Sequence, residues 1–256
     1  MLQAHSFLWN YLWVAPNLLL LLFGILLAKS DKSRKFKAFL AFAFLSVIWE
    51  LLAYLADVIP SVSATTFWRV IWVGLLVESP LKFLVIGEVF SHLLDPYPAI
   101  ARLGKNLLSG FGTILILVAA VVAAFAHPDS RFDIIFNAHV VQQTVFFVET
   151  GLIVFLFGFA AYFHLAWDRL SFGILLGLGI SSCVHLATWA IIANTNPMER
   201  VRTVFAFVNM GAYHISVVTW FYYLLVPGRV AIRPGSPPPA DILAVWNREL
   251  ERLLHQ

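Results

Sequence analysis

Seven stretches of this chain are each long and apolar enough to cross a lipid bilayer, and no other feature restricts the fold so strongly. They run Phe7–Ala28, Phe36–Val58, Thr66–Ser91, Ala99–Ala126, Asp133–Phe163, Ser171–Asn194 and Thr203–Val226. A hydrocarbon core of about 30 Å needs ~20 helical residues. The connections are short and polar or rich in breakers, such as Asp95-Pro96-Tyr97-Pro98 and His127-Pro128-Asp129-Ser130. Runs such as Leu18-Leu19-Leu20-Leu21-Leu22-Phe23 do not alternate in polarity, which argues against barrel strands. Helices satisfy their own backbone groups in lipid. The expected fold is therefore all-α, an integral membrane seven-helix bundle over residues 1–226. Composition agrees. Hydrophobic residues make up 61% and charged residues 12%, too few charges to cover a water-soluble surface.

Basic residues orient the bundle. Lys29, Lys32, Arg34, Lys35, Lys37, Arg102, Lys105, Arg169, Arg229, Arg233, Arg248 and Arg252 flank one set of span ends, against Arg69, Arg131, Arg200 and Arg202 on the other. By the positive-inside tendency the N-terminus is outside and the C-terminus cytoplasmic. Residues 1–6 hold no Lys or Arg, so the first span reads as an anchor rather than a cleaved signal peptide. The single cysteine, Cys183, permits no internal disulfide. Aromatic residues at the span ends, including Trp9, Trp13, Trp68 and Trp220, fit interfacial belts. Gly173 and Gly177 form a small-xxx-small pair suited to close helix packing.

Ionisable groups at membrane depth cost at least ~2.5–3.5 kcal/mol each and mark candidate sites. Placing the spans puts Glu50, Glu78, Lys82, Glu149, His185 and His214 near mid-depth, with Gln142 and Asn209 close by. His139 falls nearer the outer face and Glu88 nearer the inner one. Glu78 and Lys82 are four apart and share a helix face, so a pair along one helix is expected. Pro80 between them should kink that helix. Gln142 and Glu149 share a stripe, as do Asn209 and Tyr213. If these stripes face inward, one pocket holds several carboxylates and histidines. The plain alternative for each group is a structural salt bridge or interhelical hydrogen bond.

Four chemistries can be weighed against these residues. Retinal needs a lysine on the last span of the photoreceptor arrangement, and Thr203–Val226 has none. Haem could be ligated by His185 and His214, although no paired-histidine spacing supports it. Zinc could take His139, His185 and His214 with Glu149 as base, but no HExxH or HxxxH is present. Cys183 and His185 are two apart and point away from each other on a helix, which disfavours a nucleophilic dyad. A proton path through Glu50, Glu78, Glu149 and the histidines is the carrier alternative.

Residues 227–239 are a Pro-rich linker, and residues 240–256 an amphipathic cytoplasmic helix. Ile242, Leu243, Trp246, Leu250, Leu253 and Leu254 fall on one side, with charges that nearly cancel on the other. This helix suits docking to a membrane or cytoplasmic protein partner, or to a second copy in an oligomer. The basic loop Lys29–Lys37 suits lipid phosphates, not nucleic acid.

The stretch Gly87-Glu88-Val89-Phe90-Ser91-His92 with Pro96-Tyr97 after it, and the tail Trp246-Asn247-Arg248-Glu249-Leu250, resemble a group of uncharacterised bacterial seven-span membrane proteins. The resemblance implies the bacterial cytoplasmic (inner) membrane and this topology. It brings no activity with it. The expectation is a non-enzymatic ligand-binding, receptor-like sensory or accessory subunit with a mid-membrane polar cavity. A proton-coupled transporter or channel and a haem- or metal-dependent membrane enzyme are the alternatives.

Overall fold

A computed structural model describes residues 5–125, 133–195 and 199–226. Among them are seven long helices and no strand: α1 (Phe7–Lys29), α2 (Lys37–Val58), α3 (Ala64–Leu94), α4 (Pro98–Phe125), α5 (Asp133–Tyr162), α6 (Arg169–Thr195) and α7 (Glu199–Leu225). All seven are long and apolar enough to span a membrane. The protein is an integral membrane seven-helix bundle. The linker and the amphipathic helix expected at 227–256 lie outside the described residues.

Local chemistry sets the helix ends. The Ser6 hydroxyl accepts from the Trp9 amide and starts α1. Ser63 does the same for Thr66 at the start of α3. The Asp168 carboxylate accepts from the Ser171 amide in the first turn of α6. The α2 N-terminus has no cap of its own. Glu88 of α3 supplies one from across the helix pair, accepting from the Ala38 and Phe39 amides at 2.9 and 3.2 Å. Its neighbours in the Gly87–His92 stretch pack the same end: Phe90 against Phe159, and His92 against Phe36. The Tyr97 hydroxyl accepts from the Ala166 amide. The described half of the resemblance motif is thus accounted for by packing and capping. Pro80 sits inside α3, which continues as one helix through it.

Six helices close a ring in which α1 meets α2, α2 meets α3, α3 meets α5, α5 meets α6, α6 meets α7, and α7 returns to α1. Helix α4 stands outside this ring against α3 and α5. Its first turns are too polar to bury, with Arg102, Lys105, Asn106 and Ser109 exposed. Apolar side chains elsewhere point outward as lipid demands. Leu76, Leu84, Leu117 and Val154 are all more than half exposed.

The glycine pair of α6 lies where α7 packs against it. A Cβ on Gly177 would collide with the Trp220 indole, and one on Gly173 with Tyr223. The Trp220 indole N–H crosses the contact to the Ile174 carbonyl at 3.1 Å. Gly74 of α3 makes the same allowance for Trp49 of α2. The expected role of the small-residue face in packing is what the structure displays.

The core is unequal along the bundle axis. The lower end, which carries the α1–α2 connection, is filled by fully buried side chains from every ring helix. They include Phe23, Phe39, Ile86, Leu156, Ile174 and Trp220. Phe39 meets Phe23 at 5.6 Å and Trp220 at 5.1 Å, both edge to face. A cavity lies in the middle and upper half, toward the end where α1 begins.

Candidate functional site

A cavity of about 340 Å³ opens between the six ring helices in the middle and upper half of the bundle. Each of the six contributes wall residues and α4 contributes none. Phe42 forms part of its floor, resting on Phe39 and Trp220 of the packed lower end. The volume lies at the small end of the ~300–1,000 Å³ typical of ligand pockets.

Six of the eight residues picked from the sequence meet here: Glu50 on α2, Glu78 and Lys82 on α3, Gln142 on α5, His185 on α6 and Asn209 on α7. Glu149 lies behind this wall at 1% exposure. It faces Lys82, with Oε2 at 3.6 Å from Nζ. This corrects the expected pairing of Lys82 with Glu78 along one helix, because the recorded ion pair joins α3 to α5. The Lys82 ammonium also sits 4.9 Å from the centre of the Phe146 ring. Phe146 in turn stacks on His185 at 4.4 Å. A lysine stem of four carbons can reach a neighbouring helix, and burial beside a lone carboxylate makes that reach favourable.

His185 Nδ1 lies 2.9 Å from the Ser181 carbonyl one turn earlier, which makes Nδ1 the protonated nitrogen and leaves Nε2 free to accept. The Asn209 amide oxygen accepts from the Thr188 hydroxyl at 3.0 Å, tying α7 to α6. Glu50 accepts from the Trp13 indole N–H at 3.1 Å.

His214 does not join the set. Its ring lies against Tyr11 of α1 at 5.9 Å and is not part of the cavity wall. The His139 side chain lies outside the described residues. Among the described residues no group of three or more His, Cys, Asp and Glu is placed to hold a metal ion. His185 lines the cavity and His214 does not, so the two are not brought together there as the haem reading requires. Of the zinc set, His185 alone lines the cavity among the described residues. Cys183 is exposed and is not a wall residue.

Several wall residues went unnoticed in the sequence. Asn17 is 1% exposed; its amide donates to the Trp13 carbonyl at 2.7 Å, and its oxygen accepts from the Tyr213 hydroxyl at 3.2 Å. An asparagine after Pro16 inside an otherwise apolar span was the available signal. Ser46 is 2% exposed, lines the cavity, and its hydroxyl has no hydrogen-bond partner among the described residues. A serine in a transmembrane helix carries little sequence signal, because it usually bonds its own backbone.

No family model matches this chain, and searches of curated proteins and of solved structures find no match.

Proposed function

We propose that this protein is a non-enzymatic ligand-binding bundle of the bacterial cytoplasmic membrane, a sensory or accessory subunit of a larger membrane complex. Its N-terminus is outside, and the cavity takes up a small molecule from that side. The carrying observation is a polar-walled cavity built by all six ring helices above an aromatic floor. A site assembled from six helices senses any change in their packing, which suits a sensor.

The closed lower end favours binding over conduction. A proton-coupled carrier needs polar groups on both sides of the site. Below Glu149, helix α5 continues with buried Leu152, Ile153, Leu156 and Phe159. The expected helix 240–256 is the route by which a signal reaches a partner.

A thermal-shift screen of small cations, anions and neutral compounds tests this reading, using purified protein and the Ser46→Phe variant. Ser46→Phe fills the cavity from α2. At least one compound should raise the melting temperature of the native protein and not of the variant. A folded variant that responds to every compound as the native protein does would refute the reading. Removal of residues 240–256 should abolish co-purification of a protein partner; recovery of the same proteins without the tail counts against the docking role.

A further inference from the structure

Three carboxylates and one ammonium occupy the cavity wall and the layer behind it. Their pairing is uneven. Lys82 is engaged with Glu149, which faces away from the open space. Glu50 accepts one hydrogen bond, from Trp13. Glu78 has no hydrogen bond or ion pair among the described residues. Lys82, on the same wall, acts on Glu50 and Glu78 through space but makes its close pair with Glu149, so three carboxylates share one ammonium.

A second observation lies on the same wall. The Ser46 hydroxyl is buried and unpartnered, one helical turn from Glu50 on the same face of α2. Buried hydroxyls almost always find a partner, and leaving one unmade is costly. Trp13, Trp189 and Tyr213 line the same cavity. Their ring faces are electron-rich and attract cations.

Resting on the ligand-binding reading above, we propose that the cavity takes a small monovalent organic ammonium with an apolar body. Its N–H groups reach Glu50, Glu78 and the Ser46 hydroxyl, and its body lies among the aromatic walls. An anion would meet two carboxylates, and the one lysine is already taken. A neutral alcohol would leave the excess of carboxylates over the one ammonium uncompensated. The cavity volume of about 340 Å³ admits one such molecule.

Three probes of nearly equal size test the charge: 2-phenylethylammonium, 2-phenylethanol and 3-phenylpropanoate. Binding is followed by tryptophan fluorescence, since Trp13 and Trp189 are wall residues, and by melting temperature. The ammonium should bind about tenfold or more tightly than the alcohol, and the carboxylate should show no saturable binding. Glu78→Gln and Glu50→Gln should each weaken the ammonium about tenfold while leaving the alcohol unchanged. Both variants are first confirmed folded by their melting curves, and the three-probe comparison in the native protein stands without them. Equal or tighter binding of the alcohol or the carboxylate overturns the proposal. So does failure of all three probes. If the wider screen still separates native protein from Ser46→Phe, the ammonium assignment alone falls; if that screen fails too, the ligand-binding reading falls with it.

Discussion

Replacing Lys82 with methionine keeps most of the side-chain volume and removes the ammonium that faces Glu149. Two unit charges 3.6 Å apart attract by about 5 kcal/mol at an effective dielectric near ~20. The separation exceeds a good hydrogen bond, and Glu149 Oε2 has no hydrogen-bond partner, so the net value falls below that figure. Glu149 is 1% exposed, and a buried carboxylate stripped of its partner is strongly destabilising. We expect Lys82→Met to cost about 3 kcal/mol and Glu149→Gln about 2 kcal/mol. The double variant should cost about 2 kcal/mol rather than the sum, since removing both charges leaves neither unpaired. The coupling is then about 3 kcal/mol. Reversible unfolding in mixed micelles measures all four corners of the cycle. A coupling below about 0.5 kcal/mol, the range of independent sites, refutes the interhelical pair. A larger coupling between Lys82→Met and Glu78→Gln would restore the pairing along α3.

Gly177→Val should destabilise by more than about 2 kcal/mol in the same assay, because its Cβ collides with the Trp220 indole; an unchanged stability would mean that α6 and α7 are not in close contact there. Glu88→Ala removes the cap on α2 from across the helix pair and should cost about 1 kcal/mol. Hydrogen exchange should rise first at Ala38 and Phe39, and unchanged protection at those amides would contradict the capping role.

The helices themselves were easy to read. Expected and observed ends differ by at most four residues, as for α7, expected at Thr203–Val226 and found at Glu199–Leu225. Long apolar runs and short polar connections leave few alternatives in a bilayer. Which face each helix presents was harder, because lipid and core are both apolar and hydrophobicity does not separate them. For α4 the available sign of its place outside the ring was the polar run Arg102, Lys105, Asn106 and Ser109 in its first turns. Polar residues carried the useful information. Asn209 and Tyr213, four apart, share the cavity face. His214 is one step of ~100° beyond Tyr213, and so it turns toward Tyr11 of α1. The Lys82 pairing was missed because local spacing favours Glu78, whereas the choice of partner depends on the position of α5. The aromatic floor was missed because Phe39, Phe42 and Trp220 are distant in sequence and look like ordinary span residues.

The account stands on a cavity that is reachable from one side of the membrane and sealed from the other. Cysteine accessibility measures this directly. Cys183 is the only cysteine and is replaced by alanine, after which Gln142→Cys is introduced at a part-exposed position of the cavity wall. A small charged methanethiosulfonate should modify that thiol from the side bearing the N-terminus and leave it untouched from the side bearing the Lys29–Lys37 loop. Modification from both sides, or from neither, would contradict the account.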